Sequence, residues 1–164
     1  MYRPIVKIPK TKSEKVWDYI GGVFFILSIF YIMVVWTKLP DKIPGHFNGL
    51  GEVDRWGSKL ELLILPCIGG ALWLFMTLLE KVPHMHNYPA RLNEKNVKAF
   101  YINSRKILNE VKNLCLILFA FISFQMVQIG LGEATSLGWW FLPVVLLGVF
   151  IPIIKGLIIS SKIK

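Results

Sequence analysis

Charge is missing from four long stretches of this chain. Residues 19–37, 62–79, 113–132 and 134–154 contain no Asp, Glu, Lys or Arg, giving uncharged runs of 19, 18, 20 and 21 residues. At about 1.5 Å rise per residue such runs make helices roughly 27–32 Å long, the thickness of a hydrocarbon core. Also missing is the alternation of polar and apolar residues that barrel strands carry, and only helices or closed barrels satisfy their backbone groups in lipid. These absences leave a helical membrane protein.

Recognisable catalytic motifs are missing too. No HExxH or comparable cluster marks a membrane metalloprotease, no Gly-rich phosphate loop precedes a helix, and no Ser/His/Asp set has a recognisable spacing. His84-Met85-His86 is the only close histidine pair. No run carries a carboxylate, Lys, Arg or His at its centre, which disfavours an ion-coupled transporter. The two cysteines, Cys67 and Cys115, fall near opposite faces of a bilayer, too far apart for a disulfide, and read as small packing residues.

What is present agrees with membrane burial. The chain is 54% hydrophobic and 13% aromatic, with a mean hydropathy of +0.54, beyond an ordinary soluble domain. The expected fold class is an all-α integral membrane protein, a four-transmembrane-helix bundle in one membrane domain over residues 1–164. Its spans lie at about 17–37, 60–81, 108–131 and 136–158, with an outer loop at 38–59 and a cytoplasmic loop at 82–107. The first run is too long for a signal-peptide core and no small-residue cleavage pattern follows it, so it is expected to remain as a span. Fifteen of the nineteen Lys and Arg residues lie before the first run, in the second loop or after the last run; four lie in the first loop and none in the third. The positive-inside rule then puts both termini and the second loop in the cytoplasm. Topology and anionic headgroups account for most of the +9 net charge, so no nucleic-acid partner is implied.

Local signals mark the span ends. Trp17, Trp36, Trp56, Trp139 and Trp140 fall near interfaces. Ser58-Lys59-Leu60-Glu61 has the pattern of a capping box. Neither Gly nor Pro occurs between Leu92 and Ile129, which predicts one long third helix starting near Asn93-Glu94. Its first half, striped by Val97, Phe100, Tyr101, Ser104, Ile107, Leu108 and Val111, is expected to be an amphipathic stalk that lies on the bundle or docks a cytoplasmic partner. Gln125 and Gln128, one turn apart, are expected to bond between helices.

The first loop reads LPDKIPGHFNGLGEVDRWGSK, and its two prolines and four glycines predict a compact, turn-rich structure. His46, Asn48 and Asp54 could converge on a metal or polar ligand, or bond the loop's own backbone. This string resembles the signature of the bacterial membrane family called domain of unknown function 1648, through Leu39, Pro40, Ile43, Pro44, His46, Phe47, Asn48, Gly51, Asp54 and Lys59. Asn87-Tyr88-Pro89, Asn93-Glu94, Tyr101 and Arg105 are also similar to members of that family. The same domain begins SdpI-like proteins, which protect a producer from its own toxic peptide and signal to a cytoplasmic repressor. The resemblance implies a bacterial cytoplasmic membrane, and by analogy an immunity or sensing role. Ligand binding would fall to His46, Phe47, Asn48, Asp54 and Lys59, and partner docking to Tyr101 and Arg105. The expected partners are the lipid bilayer, a peptide toxin or other extracellular ligand, and a cytoplasmic regulator. Two alternatives remain open: a lipid or small-molecule binding or transport accessory protein, and an outer-face enzyme with zinc on His46 and Asp54.

Overall fold

A computed structural model describes residues 3–164. Four helices carry the chain: α1 (Lys12–Val35), α2 (Ile64–Glu80), α3 (Val97–Gly130) and α4 (Phe141–Lys162). With the short 3-10 turns that extend α1 and α2, all four are long and apolar enough to cross a membrane, with mean hydropathy from 1.8 to 2.5. Their outward faces are bare hydrocarbon, as at Ile26, Phe30, Phe75, Leu147 and Leu157. This is a multi-pass membrane protein. One end of the molecule holds both described chain ends and the α2–α3 connection; we call it the terminal end, and the opposite one the hairpin end.

Helix boundaries follow local chemistry. Thr11 caps α1 in a reciprocal box: its hydroxyl accepts from the Glu14 amide, and the Glu14 carboxylate accepts from the Thr11 amide at 2.6 Å. Ser58 Oγ accepts from the Leu60 amide at 3.3 Å and opens a 3-10 turn (Lys59–Leu63) ahead of α2. The Glu61 carboxylate lies against the Ser58 backbone, as that pattern requires, and is also taken by Arg55 at 2.7 Å. Asn93 Oδ1 accepts from the Lys95 amide at 2.9 Å in the turn that leads into α3.

The first loop holds more regular structure than its prolines and glycines suggested. Strands β1 (Lys42–Phe47) and β2 (Val53–Ser58) pair antiparallel from Lys42↔Ser58 to Phe47↔Val53, with the register shifting around His46. Proline is tolerated at position 44 because a two-stranded ribbon has free edges. β1 turns Ile43 inward, onto a core of Ile32, Val35, Leu39, Leu62, Met126 and Val127, and Pro44 beside it is also buried. The hairpin is thereby seated on the end of α3. The α3–α4 connection closes over its tip, where the Leu137 amide donates to Gly51 O at 2.7 Å.

α3 is the centre of the molecule. α1, α2 and α4 each lean on it and make little contact with one another. Its buried stripe runs Tyr101, Arg105, Asn109, Lys112, Leu116, Ala120, Ser123 and Val127, in steps of four and three. Gly21 lets the backbone of α1 approach the Asn113 carboxamide, and Gly156 does the same for α4 against Ile107. Asn103 Nδ2 donates to Gly156 O at 2.8 Å, and Tyr31 Oη donates to Gln128 Oε1 at 2.8 Å, the interhelical bond expected of that amide. The first half of α3 does not stand free as a stalk. Leu92, Val97, Phe100 and Tyr101 form a second core with Ile8, Tyr88 and Ile163.

Candidate functional site

The hairpin end presents a cavity of about 440 Å³. Its inner wall is apolar, made by Leu65 of α2, Ile122 and Met126 of α3, Leu137, and Phe141 and Leu142 of α4. Its rim is polar and comes from the hairpin: His46, Asn48, Arg55 and, at the foot of α2, Glu61. Volumes of this order hold small ligands.

Each rim residue has a definite partner. Arg55 Nη2 donates to Glu61 Oε2 and to Gly45 O, both at 2.7 Å, and Nη1 donates to Glu61 Oε1 at 3.2 Å, a two-pronged clamp that fixes β2 over the start of α2. The Glu61 carboxylate raises the Arg55 pKa above its ordinary value. His46 Nδ1 and Asp54 Oδ1 lie 2.7 Å apart on the hairpin surface, with side chains 65% and 42% exposed. Asn48 serves the turn: its Oδ1 accepts from the Leu50 amide at 2.9 Å and the Glu52 amide at 3.0 Å, while Nδ2 donates to Glu52 at 2.9 Å.

Of the loop residues expected to bind a ligand, His46 and Asp54 therefore meet, while Asn48 is engaged in the turn. Phe47 packs against the core and lines the cavity. Lys59 lies 5.6 Å from the centroid of the Trp36 ring, with Asp41 at 3.9 Å. Among the described residues no three His, Cys, Asp or Glu side chains converge as a metal-binding set. Cys67 and Cys115 are both free.

Sequence reasoning missed a second site, at the terminal end. Lys112 of α3 is wholly buried and sits 2.7 Å from Glu80 Oε1 of α2, 3.0 Å from Asp18 Oδ1 of α1 and 3.1 Å from Thr77 Oγ1. Asn109 and Asn113 donate to Asp18 at 2.8 and 3.0 Å, and the Trp73 ring lies 5.1 Å from the Lys112 ammonium. Lys10, from the segment before α1, completes the cluster at 2.5 Å from Asp18 and 3.0 Å from Glu80. Burial alone would lower the Lys10 pKa, but its bonds to Asp18 and Glu80 outweigh that and raise it.

Tyr101 and Arg105, expected to face a partner, both lie inside the protein. Arg105 grips Glu14 at 2.6 and 3.1 Å and donates to Ile8 O at 2.6 Å and Pro9 O at 2.8 Å. Tyr101 Oη donates to Pro4 O at 3.2 Å. Nearby, burial pushes the Tyr88 phenol up to about 12. The signal that could have shown this site is the spacing of Arg105, Asn109 and Lys112, which carries the apolar stripe of α3 onward in polar residues.

Residues 23–70, from within α1 through the hairpin into α2, match the family described as domain of unknown function (DUF1648). An uncharacterized protein of the archaeon Archaeoglobus fulgidus is 35% identical over 105 residues, covering 62% of this chain and 55% of that protein. The chain thus spans about half the length of the curated relative it matches. No solved structure matches it.

Proposed function

We propose that this multi-pass membrane protein, whose residues 23–70 form a DUF1648 domain, binds an amphiphilic ligand at its hairpin end. The observation that carries the reading is the two-sided cavity, with hydrocarbon and aromatic side chains on the α3 and α4 side and polar groups on the hairpin side. A molecule with an apolar chain and a polar head matches both. Arg55 and Glu61, the charged residues of the rim, satisfy each other. That balance suits a neutral or zwitterionic head. On the distribution of Lys and Arg this end faces outward, and the ligand is then drawn from the outer leaflet or the medium.

Recognition of a peptide at the same end is the second reading. The exposed side chains of His46, Asp54 and Trp56 favour it, since they form a polar and aromatic face on the outside of the hairpin. In the immunity or sensing role implied by the resemblance to SdpI-like proteins, that face would meet the toxic peptide. A zinc enzyme on His46 and Asp54 would need a third ligand from outside the pair.

The test is titration of the purified full chain, in a neutral detergent, with a fluorescent zwitterionic acyl probe. Saturable binding that is lost when Ile122→Trp fills the cavity, and retained in Asp54→Ala, which lies outside the cavity lining, supports the amphiphile reading. Binding that ignores Ile122→Trp overturns it. Protection from a peptide that depends on His46 and Asp54, but not on Ile122, supports the second reading.

A further inference from the structure

Residues 3–11 form a strap without helix or strand, laid over the terminal end before α1 begins. Much of what holds it would hold any peptide. On the strap, Tyr101 and Arg105 donate to main-chain carbonyls, those of Pro4, Ile8 and Pro9. Two strap side chains occupy built sockets. Ile8 packs against Leu92, Val97, Phe100 and Tyr101, and Lys10 places its ammonium between Asp18 and Glu80. Donors for backbone carbonyls, one apolar socket and one acidic socket two residues further on are the parts of a peptide-binding groove.

Charge balance says what the groove requires. Within the spanning helices the acidic socket holds Asp18 and Glu80 against a single cation, Lys112, with Asn109 and Asn113 as neutral donors. The Glu14 carboxylate is already matched by Arg105. The helices alone therefore leave one buried carboxylate uncompensated, which is costly unless a cation arrives from elsewhere. In this structure the strap supplies it through Lys10, whose side chain remains 34% exposed.

We propose that the terminal end is a docking groove for a short basic peptide of a partner protein, with an aliphatic residue two positions before a lysine, and that the chain's own strap holds it shut. A tethered strap competes at an effective concentration on the order of millimolar, so a partner peptide enters only when the strap is weakened or the partner is abundant.

The test uses the full chain in a neutral detergent and a fluorescent synthetic peptide copying residues 3–12, with a scrambled peptide as control. A chain carrying Ile8→Ser and Lys10→Ala is expected to bind the peptide saturably, and wild type about tenfold more weakly or less, because its own strap competes. Placing alanine at the Lys10 position of the peptide, or adding Glu80→Gln to the chain, is expected to abolish binding. A folded double variant that does not bind, or wild type that binds equally well, overturns the proposal. Should the double variant not fold, an Ile8→Cys chain with Cys67 and Cys115 replaced by alanine gives a second measurement. Excess peptide should speed thiol labelling at position 8 by displacing the strap, and an unchanged rate at saturating peptide overturns the proposal.

Discussion

Lys112 of α3 and Glu80 of α2 meet at 2.7 Å with side chains 0% and 2% exposed, so that an ion pair stands at the level where the uncharged runs of the spans end. Asp18 brings α1 to the same ammonium at 3.0 Å, and one lysine thus ties three helices together.

Removing that cation is expected to be severe. Lys112→Met leaves Glu80 and Asp18 in a buried site with only Lys10 opposite them, and breaking a buried pair costs about 3–5 kcal/mol. Lys155→Ala, which removes an exposed partner 3.8 Å from Glu110, is expected to cost less than about 1 kcal/mol. Thermal melting of both variants in the same detergent checks the contrast. Equal melting temperatures would show that the cluster does not hold the spans.

Gly21 and Gly22 make an internal control. A Cβ at Gly21 would run into the Asn113 carboxamide, whereas one at Gly22 meets open space. Gly21→Ala is expected to destabilise by about 1–3 kcal/mol through overpacking, while Gly22→Ala is neutral or stabilising by up to about 1 kcal/mol through helix propensity. Denaturant titration of the two variants should separate them, and a destabilised Gly22→Ala would contradict this packing of α1 on α3.

The terminal end is expected to be sensitive to alkali. Burial raises the Tyr88 phenol from 10.0 to about 12, and Lys10, despite a burial effect that lowers it, is raised above 10.5 by Asp18 and Glu80. A group raised in the folded state contributes its full stability below its unfolded pKa and loses it as pH climbs through the folded value. Stability should thus hold up to about pH 10 and fall between roughly pH 10 and 12. Tyr88→Phe removes one titrating group and should flatten that fall. Melting curves across that interval, read beside phenolate absorbance, check it; a variant with the same alkaline slope as wild type excludes Tyr88 as a contributor.

Orientation can be read in intact cells. Gly49 lies at the exposed hairpin tip with open space around it, and Ser161 is exposed near the other end. In a chain with Cys67 and Cys115 replaced by alanine, Gly49→Cys is expected to react with a membrane-impermeant maleimide, and Ser161→Cys only after the membrane is opened. The reverse pattern would invert the assignment of both faces.

The spans were legible because a run of 18 or more uncharged residues has few alternatives in water. The hairpin was not, because Pro40, Pro44 and the glycines signal turns, while the ribbon is held by the seating of Ile43 on the end of α3, a contact remote in sequence. The family signature marked the right segment but not its chemistry. Ile43, Pro44 and Asn48 build the hairpin, and His46 and Asp54 are the pair left facing outward. The ionic cluster was hidden for a different reason. Asp18, Glu80 and Lys112 border uncharged runs, where charges are ordinarily counted toward orientation, and no local pattern says that the three ends converge.

The central position of α3 bears on how the protein is made. α1 and α2 leave the ribosome first, yet the surface that joins them lies on a helix not yet synthesised. Until α3 arrives, the two early helices must wait in the bilayer or its insertion machinery as separate rods, with Asp18 and Glu80 still open to water at their ends. Only with Lys112 in place can Asp18 and Glu80 meet the cation that α1 and α2 share.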